Sequence, residues 1–286
     1  MPCDLSPRKG RAHELLVVAP NLTPAASPEV CPEIPKTPET PSKWAKSALN
    51  FQAEPKQAEV LDHEAHRLIL CCPRQWGKST IVALKALHYA IHNPHSEILV
   101  LSDSEDHAGI IVQKLVTYAA ALKIPRRSAH GKQYSIKLPN GSQIFAVAHN
   151  MSSGVGYTAN VVIVDEAALV DDEVISYVSR TLARTNGHLW LLGTPRGQTG
   201  IFYAIWHDNG LNWHRVKATI EDAKYLDAQF IQEQKQLFPA TFRQDFYCEF
   251  LQAPGRLFSR EKIARNVDPA LNSRVMHDEE GDEGEL

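Results

Sequence analysis

The stretch RLILCCPRQWGKSTIVALKALHYAIH, residues 67 to 92, constrains the fold of this chain more than any other. Its first six residues are a short apolar run, and after Lys78 the residues Ile81, Leu84, Leu87, Ala90 and Ile91 recur at helical spacing. A buried strand that runs straight into a helix leaves unpaired backbone N–H groups and the positive end of the helix dipole at the join, which makes an anion site. Gly77 lets the backbone approach a ligand, Lys78 is placed to neutralise outer phosphates, and the Ser79 hydroxyl is placed to bind Mg²⁺. The usual pattern, G-x-x-x-x-G-K-[ST], is half present, because Cys72 stands where its first glycine belongs. A bare Gly-Lys-Ser/Thr tripeptide arises by chance in about one chain in ten. The strand before it and the helix after it give it meaning.

The rest of the chain supplies a sheet to carry that loop. EILVLS (97 to 102) reads as a buried strand and EDHAGIIVQKLVTYAAAL after it as a helix. YSIKLPNGSQIFAVA (134 to 148) alternates about Asn140-Gly141, a pair that favours the positive backbone angles of a tight hairpin. NVVIVDEAA, HLWLLGTP and WHRVKA (213 to 218) add three strands, with helices expected over 172 to 185 and 222 to 237. Strands alternating with helices predict a three-layer α/β fold with a mainly parallel sheet and one antiparallel hairpin.

Nine of the 18 prolines fall within the first 41 residues, so residues 1 to 45 are expected to form a disordered arm. The last nine residues, DEEGDEGEL, hold six acidic groups; setting them aside turns the net charge from −3 to +3. A near-neutral body can hold nucleic acid only through a local basic patch. The folded domain is expected over 46 to 255, with 256 to 286 a linker remnant and an acidic disordered tail. The five cysteines lack C-x-x-C spacing, which points away from a disulfide framework or zinc site and toward a reducing cytoplasm. No apolar run reaches the roughly 18 residues of a membrane span, and the N-terminus lacks a secretory pattern.

A phosphate loop that hydrolyses its nucleotide also needs a carboxylate on a neighbouring strand for the Mg²⁺ shell and a group to position water. In VVIVDEAA, four apolar residues bring Asp165 to the C-terminal edge of a strand with Glu166 beside it, the edge where open α/β sheets bind ligands. Asp165 lies 87 residues beyond Lys78. LLGTP ends another buried strand at that edge, where Thr194 is suited to sense the outer phosphate or couple its loss to movement. Each segment alone is also an ordinary strand end; their combination with the loop selects the site.

Pro73, Arg74, Gln75, Trp76, Gly77, Lys78 and Ser79, followed by Thr80, resemble the deviant phosphate loop [SP]-R-Q-x-G-K-[ST] of the large terminase subunit, the DNA-packaging motor of tailed phages and prophages. The resemblance to its ATPase domain extends over about 50 to 255, and it makes Cys72 a family habit. It implies a P-loop NTPase of the additional-strand, catalytic-glutamate type that binds ATP and Mg²⁺ through residues 73 to 80. Arg74 is implied as the arginine acting in cis on the γ-phosphate, where a fixed guanidinium offsets developing charge. Gln57, in FQAEPKQAEVL, is implied as the base-reading amide, Ser79 and Asp165 as the magnesium ligands, Glu166 as the residue that polarises water, and Thr194, in GTPRG, as the coupling residue. Where the family often has Arg-Gly, this chain has Val155-Gly156. FYCEFLQAPGRLFS (246 to 259) resembles the end of the ATPase domain and the start of a nuclease linker, and fewer than 30 residues follow it, so DNA cleavage is not expected of this chain.

The partners implied are double-stranded DNA, further copies in a ring, a portal protein and the small terminase subunit, in a bacterial host cell. Two other readings stay open: a shortened prophage remnant serving as a nucleotide-binding interaction module, and a helicase-like DNA translocase, which needs a second ATPase-like domain. Among other features, DHEAH (62 to 66) places His63 and His66 one turn apart but is not H-E-x-x-H. Ser152 and Ser153 lack a nucleophile-elbow pattern. Lys123, Arg126, Arg127 and Lys132 form a basic cluster, either a solvated loop or a DNA-facing patch. Arg196 lies beside Thr194, and its reach to a neighbouring subunit's nucleotide in a ring is the minor reading.

Overall fold

The computed structural model describes residues 39 to 129, 131 to 147, 156 to 223 and 226 to 252. Residues 1 to 38 of the expected arm, the 256 to 286 segment, Ser152, Ser153 and Val155 lie outside the described residues. The sheet has seven strands: β1 (Arg67–Cys71), β2 (Glu97–Leu101), β3 (Ser135–Lys137), β4 (Gln143–Ala146), β5 (Val161–Val164), β6 (His188–Gly193) and β7 (His214–Lys217). Their order is β3-β4-β2-β5-β6-β1-β7, and all pairs are parallel except β3 with β4. β6 stands between the loop strand β1 and the carboxylate strand β5, so those two are second neighbours rather than adjacent. Cys71 pairs with Gly193 and Val164 with Leu191, which brings the three C-terminal ends to one edge.

Alternate residues feed two cores. Leu68, Leu70, Val100, Ile163 and Leu192 pack with residues of α1 (Pro41–Leu49), α2 (Pro55–Asp62), α3 (Lys78–His92) and α4 (Glu105–Ala121). Ile69, Cys71, Leu101, Val164 and Leu191 pack with α5 (Asp172–Ser179) and α6 (Gly200–His207). Burial on both faces explains why these strands read as continuous apolar runs. Two further helices, α7 (Ala228–Leu237) and α8 (Pro239–Tyr247), follow β7, and α7 contains no buried residue.

Local chemistry moved several boundaries. Helix α1 begins inside the expected arm because Pro41, at its first turn, has a backbone angle already suited to a helix, and Ala45 is fully buried. The hairpin is closed by the Gly141 N–H donating to the Leu138 carbonyl, and Gly141 has φ +87° while Asn140 is not in the positive region. Pro139 fixes its own angle at the turn's second position, which selects a longer turn ending in one left-handed residue. The helix expected over 172 to 185 stops at Ser179 and tightens into a 3₁₀ turn over Arg180–Leu182. The one expected from 222 starts at Ala228, because the Asp227 side chain accepts from the Gln229 and Phe230 N–H groups.

Candidate nucleotide-binding site

The loop is tied at its base and turned at its crest. The Cys72 N–H still donates to the Gly193 carbonyl at 3.1 Å, so β1 pairing runs through the position where a glycine was missing and the turn starts after it. Gln75 and Gly77, at φ +63° and +94°, fold the chain over the start of α3, whose first bonds run from the Thr80 and Ile81 N–H groups to the Gly77 carbonyl. A Cβ on residue 77 would lie 3.1 Å from Gln57 Nε2, so both the backbone angle and the close approach favour glycine.

Lys78 reaches past β6 to both expected carboxylates. Its Nζ lies 2.9 Å from Asp165 Oδ1 and 2.6 Å from Glu166 Oε1, and its side chain is 11% exposed. Burial alone would lower the Lys78 pKa, but the two carboxylates outweigh it and hold the pKa above the ordinary lysine value. Glu166 adopts φ +48°, with its N–H donating to Asp165 Oδ1 at 3.0 Å and the next N–H, of Ala167, to the Leu192 carbonyl. A non-glycine residue held in that region stores backbone strain at the point where its carboxylate meets Lys78.

These groups line a cavity of about 430 Å³ together with Pro73, Arg74, Gln75, Gly77, Ser79 and Thr80. Its far wall was not anticipated: Asp103, His107 and Lys114, at and along the start of α4. His107 Nδ1 lies 2.6 Å from Asp103 Oδ1, and that hydrogen bond with its charge raises the His107 pKa. Burial pushes the Asp103 pKa up, yet bonds from His107 and Ser102 leave it below the usual carboxylate value. The available signal was topological, since a helix following a parallel strand starts at the same sheet edge as the loop.

Three expected site residues do not face this cavity. Trp76 is fully buried in the core formed with α1 to α4 and anchors the loop from beneath. Gln57 is 6% exposed, with Oε1 accepting from the Glu54 N–H at 3.0 Å and Nε2 donating to the Trp76 carbonyl at 3.0 Å. One end of the amide thus caps the start of α2 and the other holds the loop from below, away from the cavity. The buried Thr194 hydroxyl donates to the Cys72 carbonyl at 2.9 Å and so straps β6 to the loop. Arg74 is exposed and makes no ion pair or hydrogen bond among the described residues. His63 stacks on His214 and His66 lies tilted against His188 rather than the two forming a ligand set.

Ser79 and Asp165 present a hydroxyl and a carboxylate to one cavity, hard oxygen donors that fit Mg²⁺. Among the described residues no group of three or more His, Cys, Asp or Glu is arranged for a metal, so a cation here would complete its shell from nucleotide phosphates and water.

A family model described as the large terminase subunit, T4likevirus-type, N-terminal, matches residues 69 to 265. The chain is similar in structure to the ATPase domain of the Thermus phage P74-26 large terminase, with 20% identity, a TM-score of 0.65, and coverage of 74% of this chain and 100% of that one. It is also similar to the large terminase of a thermophilic bacteriophage solved with ADP, at 13% identity and TM-score 0.61, covering 69% of this chain and 53% of that one. The HK97 bacteriophage large terminase matches at 16% identity and TM-score 0.57, covering 69% and 50%. The match thus spans a whole ATPase domain but about half of these longer terminases. No curated protein matches.

Proposed function

The chain belongs to the large terminase subunit family, and on that premise we propose that it is a Mg²⁺-dependent ATPase whose turnover drives double-stranded DNA in packaging. The observation that carries this reading is the meeting of Lys78 with Asp165 and Glu166 at the wall of the loop cavity. A lysine already charged and already at the carboxylates has only to exchange them for the β- and γ-phosphates. That exchange frees Glu166 to accept a proton from the attacking water, so the catalytic carboxylate is masked until nucleotide arrives. Arg74, with no ion pair or hydrogen bond to give up among the described residues, turns its guanidinium to the γ-phosphate and offsets charge developing there. Ser79 and Asp165 would hold magnesium, which would supply further charge neutralisation on the phosphates.

The DNA part of the proposal rests on charge segregation. Between Asp106 and Asp165 lie 58 residues without an Asp or Glu, and they carry six Lys or Arg. Lys123, Arg126, Arg127 and Lys137 are exposed around the edge strand β3, a surface suited to phosphate contacts that carry no sequence information. Assembly into a ring, with portal and small terminase subunits in the host cytoplasm, follows from the same reading. Among the described residues no helix is long and apolar enough to cross a membrane.

ATP hydrolysis by the purified chain, measured with and without double-stranded DNA, tests the proposal. Stimulation by DNA is expected, and it should weaken in Arg126→Glu/Arg127→Glu and at higher salt. Absence of hydrolysis under either condition favours a nucleotide-binding interaction module.

A further inference from the structure

The groups that α4 brings to the loop cavity have no part in the steps given above. His107, Ile110 and Lys114 are three and four residues apart, so they form one stripe along that helix, and all three line the cavity. Strand order decides which end of a bound triphosphate they meet. From β1 across the sheet the ends of β6, β5 and β2 follow in turn, so the start of α4 stands beyond Asp165 and Glu166. A nucleotide held by the loop with its terminal phosphate at those carboxylates therefore presents that phosphate, and not the inner ones, to the stripe.

The stripe is suited to an anion. Asp103 Oδ1 lies 2.6 Å from His107 Nδ1 and also accepts from the Ser102 hydroxyl at 3.0 Å, which holds the ring by one nitrogen and leaves Nε2 for a ligand. The same pairing raises the His107 pKa, with the charges of Glu166 and Asp165 adding to it, and so favours the form in which Nε2 also donates. Lys114 makes no ion pair or hydrogen bond among the described residues. Ile110, between the two, and Leu169, which also lines the cavity, are 46% and 45% exposed. Apolar neighbours of this kind lower the local dielectric and strengthen a charge-assisted hydrogen bond.

We propose that His107, oriented by Asp103, and Lys114 bind the terminal phosphate from the side opposite the loop and thereby make the site discriminate ATP from ADP. With ATP bound, both groups donate to oxygens of the γ-phosphate. With ADP bound, no phosphate reaches them and they add nothing to affinity. Asp103 is a positioning residue, since it holds the ring and does not itself meet the anion. This rests on the ATPase reading above and deepens it by naming the groups that recognise the triphosphate.

The test is calorimetric titration of the full chain, in the presence of Mg²⁺, with two probes: the slowly hydrolysed triphosphate ATP-γ-S and ADP. The combined variant His107→Ala/Lys114→Ala should weaken ATP-γ-S by about tenfold or more while leaving ADP affinity unchanged, which also shows that the variant is folded. Lys114→Arg should keep the preference for the triphosphate, and Asp103→Asn should reduce it with ADP binding again unchanged. Equal weakening of both probes assigns the stripe to shaping the loop and overturns the proposal. An unchanged preference together with lost stimulation of hydrolysis by DNA assigns the stripe to the DNA backbone and overturns it too. An unchanged preference in the combined variant, alongside loss of both probes in Lys78→Ala, overturns the proposal and leaves the ATPase reading standing. A wild-type chain that binds neither probe overturns both.

Discussion

Under the proposed function Lys78 has two alternative sets of partners, and its position makes them exclusive. It pairs with Asp165 and Glu166 in the structure; pairing with phosphates, as proposed, would release the carboxylate assigned to act on water. Lys78→Ala should therefore abolish nucleotide binding and also destabilise the folded chain, because two carboxylates are left facing one another in a partly buried place. Denaturant titration of the ligand-free protein measures the second effect separately from the first. Arg74 differs, being exposed and unpartnered among the described residues. Arg74→Ala should change unfolding free energy by less than about 0.5 kcal/mol but lower the turnover number by about a hundredfold or more. A variant that loses stability and keeps its rate contradicts the role given to this guanidinium.

At the scale of elements, β6 is what joins the loop to the carboxylates. It pairs with both flanking strands, and Thr194 at its end donates to the Cys72 carbonyl. Thr194→Val removes that donor inside a buried region and should cost about 1–3 kcal/mol of stability, read as a lowered thermal midpoint. Gly77→Ala should cost about 1 kcal/mol or more, since it forces an alanine to φ +94° and displaces Gln57. The strands, the helix after the loop and the Lys78, Asp165 and Glu166 positions were legible because apolar runs and their polar ends are local signals. That Gln57, Trp76 and Thr194 are buried against the loop was not legible, for a physical reason: a motif names residue types, whereas packing decides whether a side chain faces the cavity or holds up the backbone that does. Asp103, His107 and Lys114 left no local signal, since strand order alone brings α4 to the cavity.

For the whole molecule, the helix-covered core carries its own pH dependence, separate from the chemistry at the loop. Burial, with His92 adding to it, pushes the His88 pKa down to about 4. Burial also lowers His188 and His214, the latter with His63 stacked on it. Each group binds its proton more readily in the unfolded chain, so their contribution is complete above about pH 6.5 and is lost as pH falls toward the folded values. Lys85, buried with its Nζ donating to the Leu61 and His63 carbonyls, is lowered to about 8 by desolvation. It adds stability as pH rises from there to about 10.4. Thermal midpoints should accordingly be lower at pH 5 than at pH 7, and equal midpoints contradict the neutral assignment of these histidines. The claim on which the whole account turns is that Lys78, Asp165 and Glu166 serve one nucleotide. Its most direct measurement is ATP affinity and single-turnover hydrolysis in Glu166→Gln: affinity near that of the wild type with hydrolysis slowed by about a thousandfold is the expected result, and hydrolysis at the wild-type rate contradicts it.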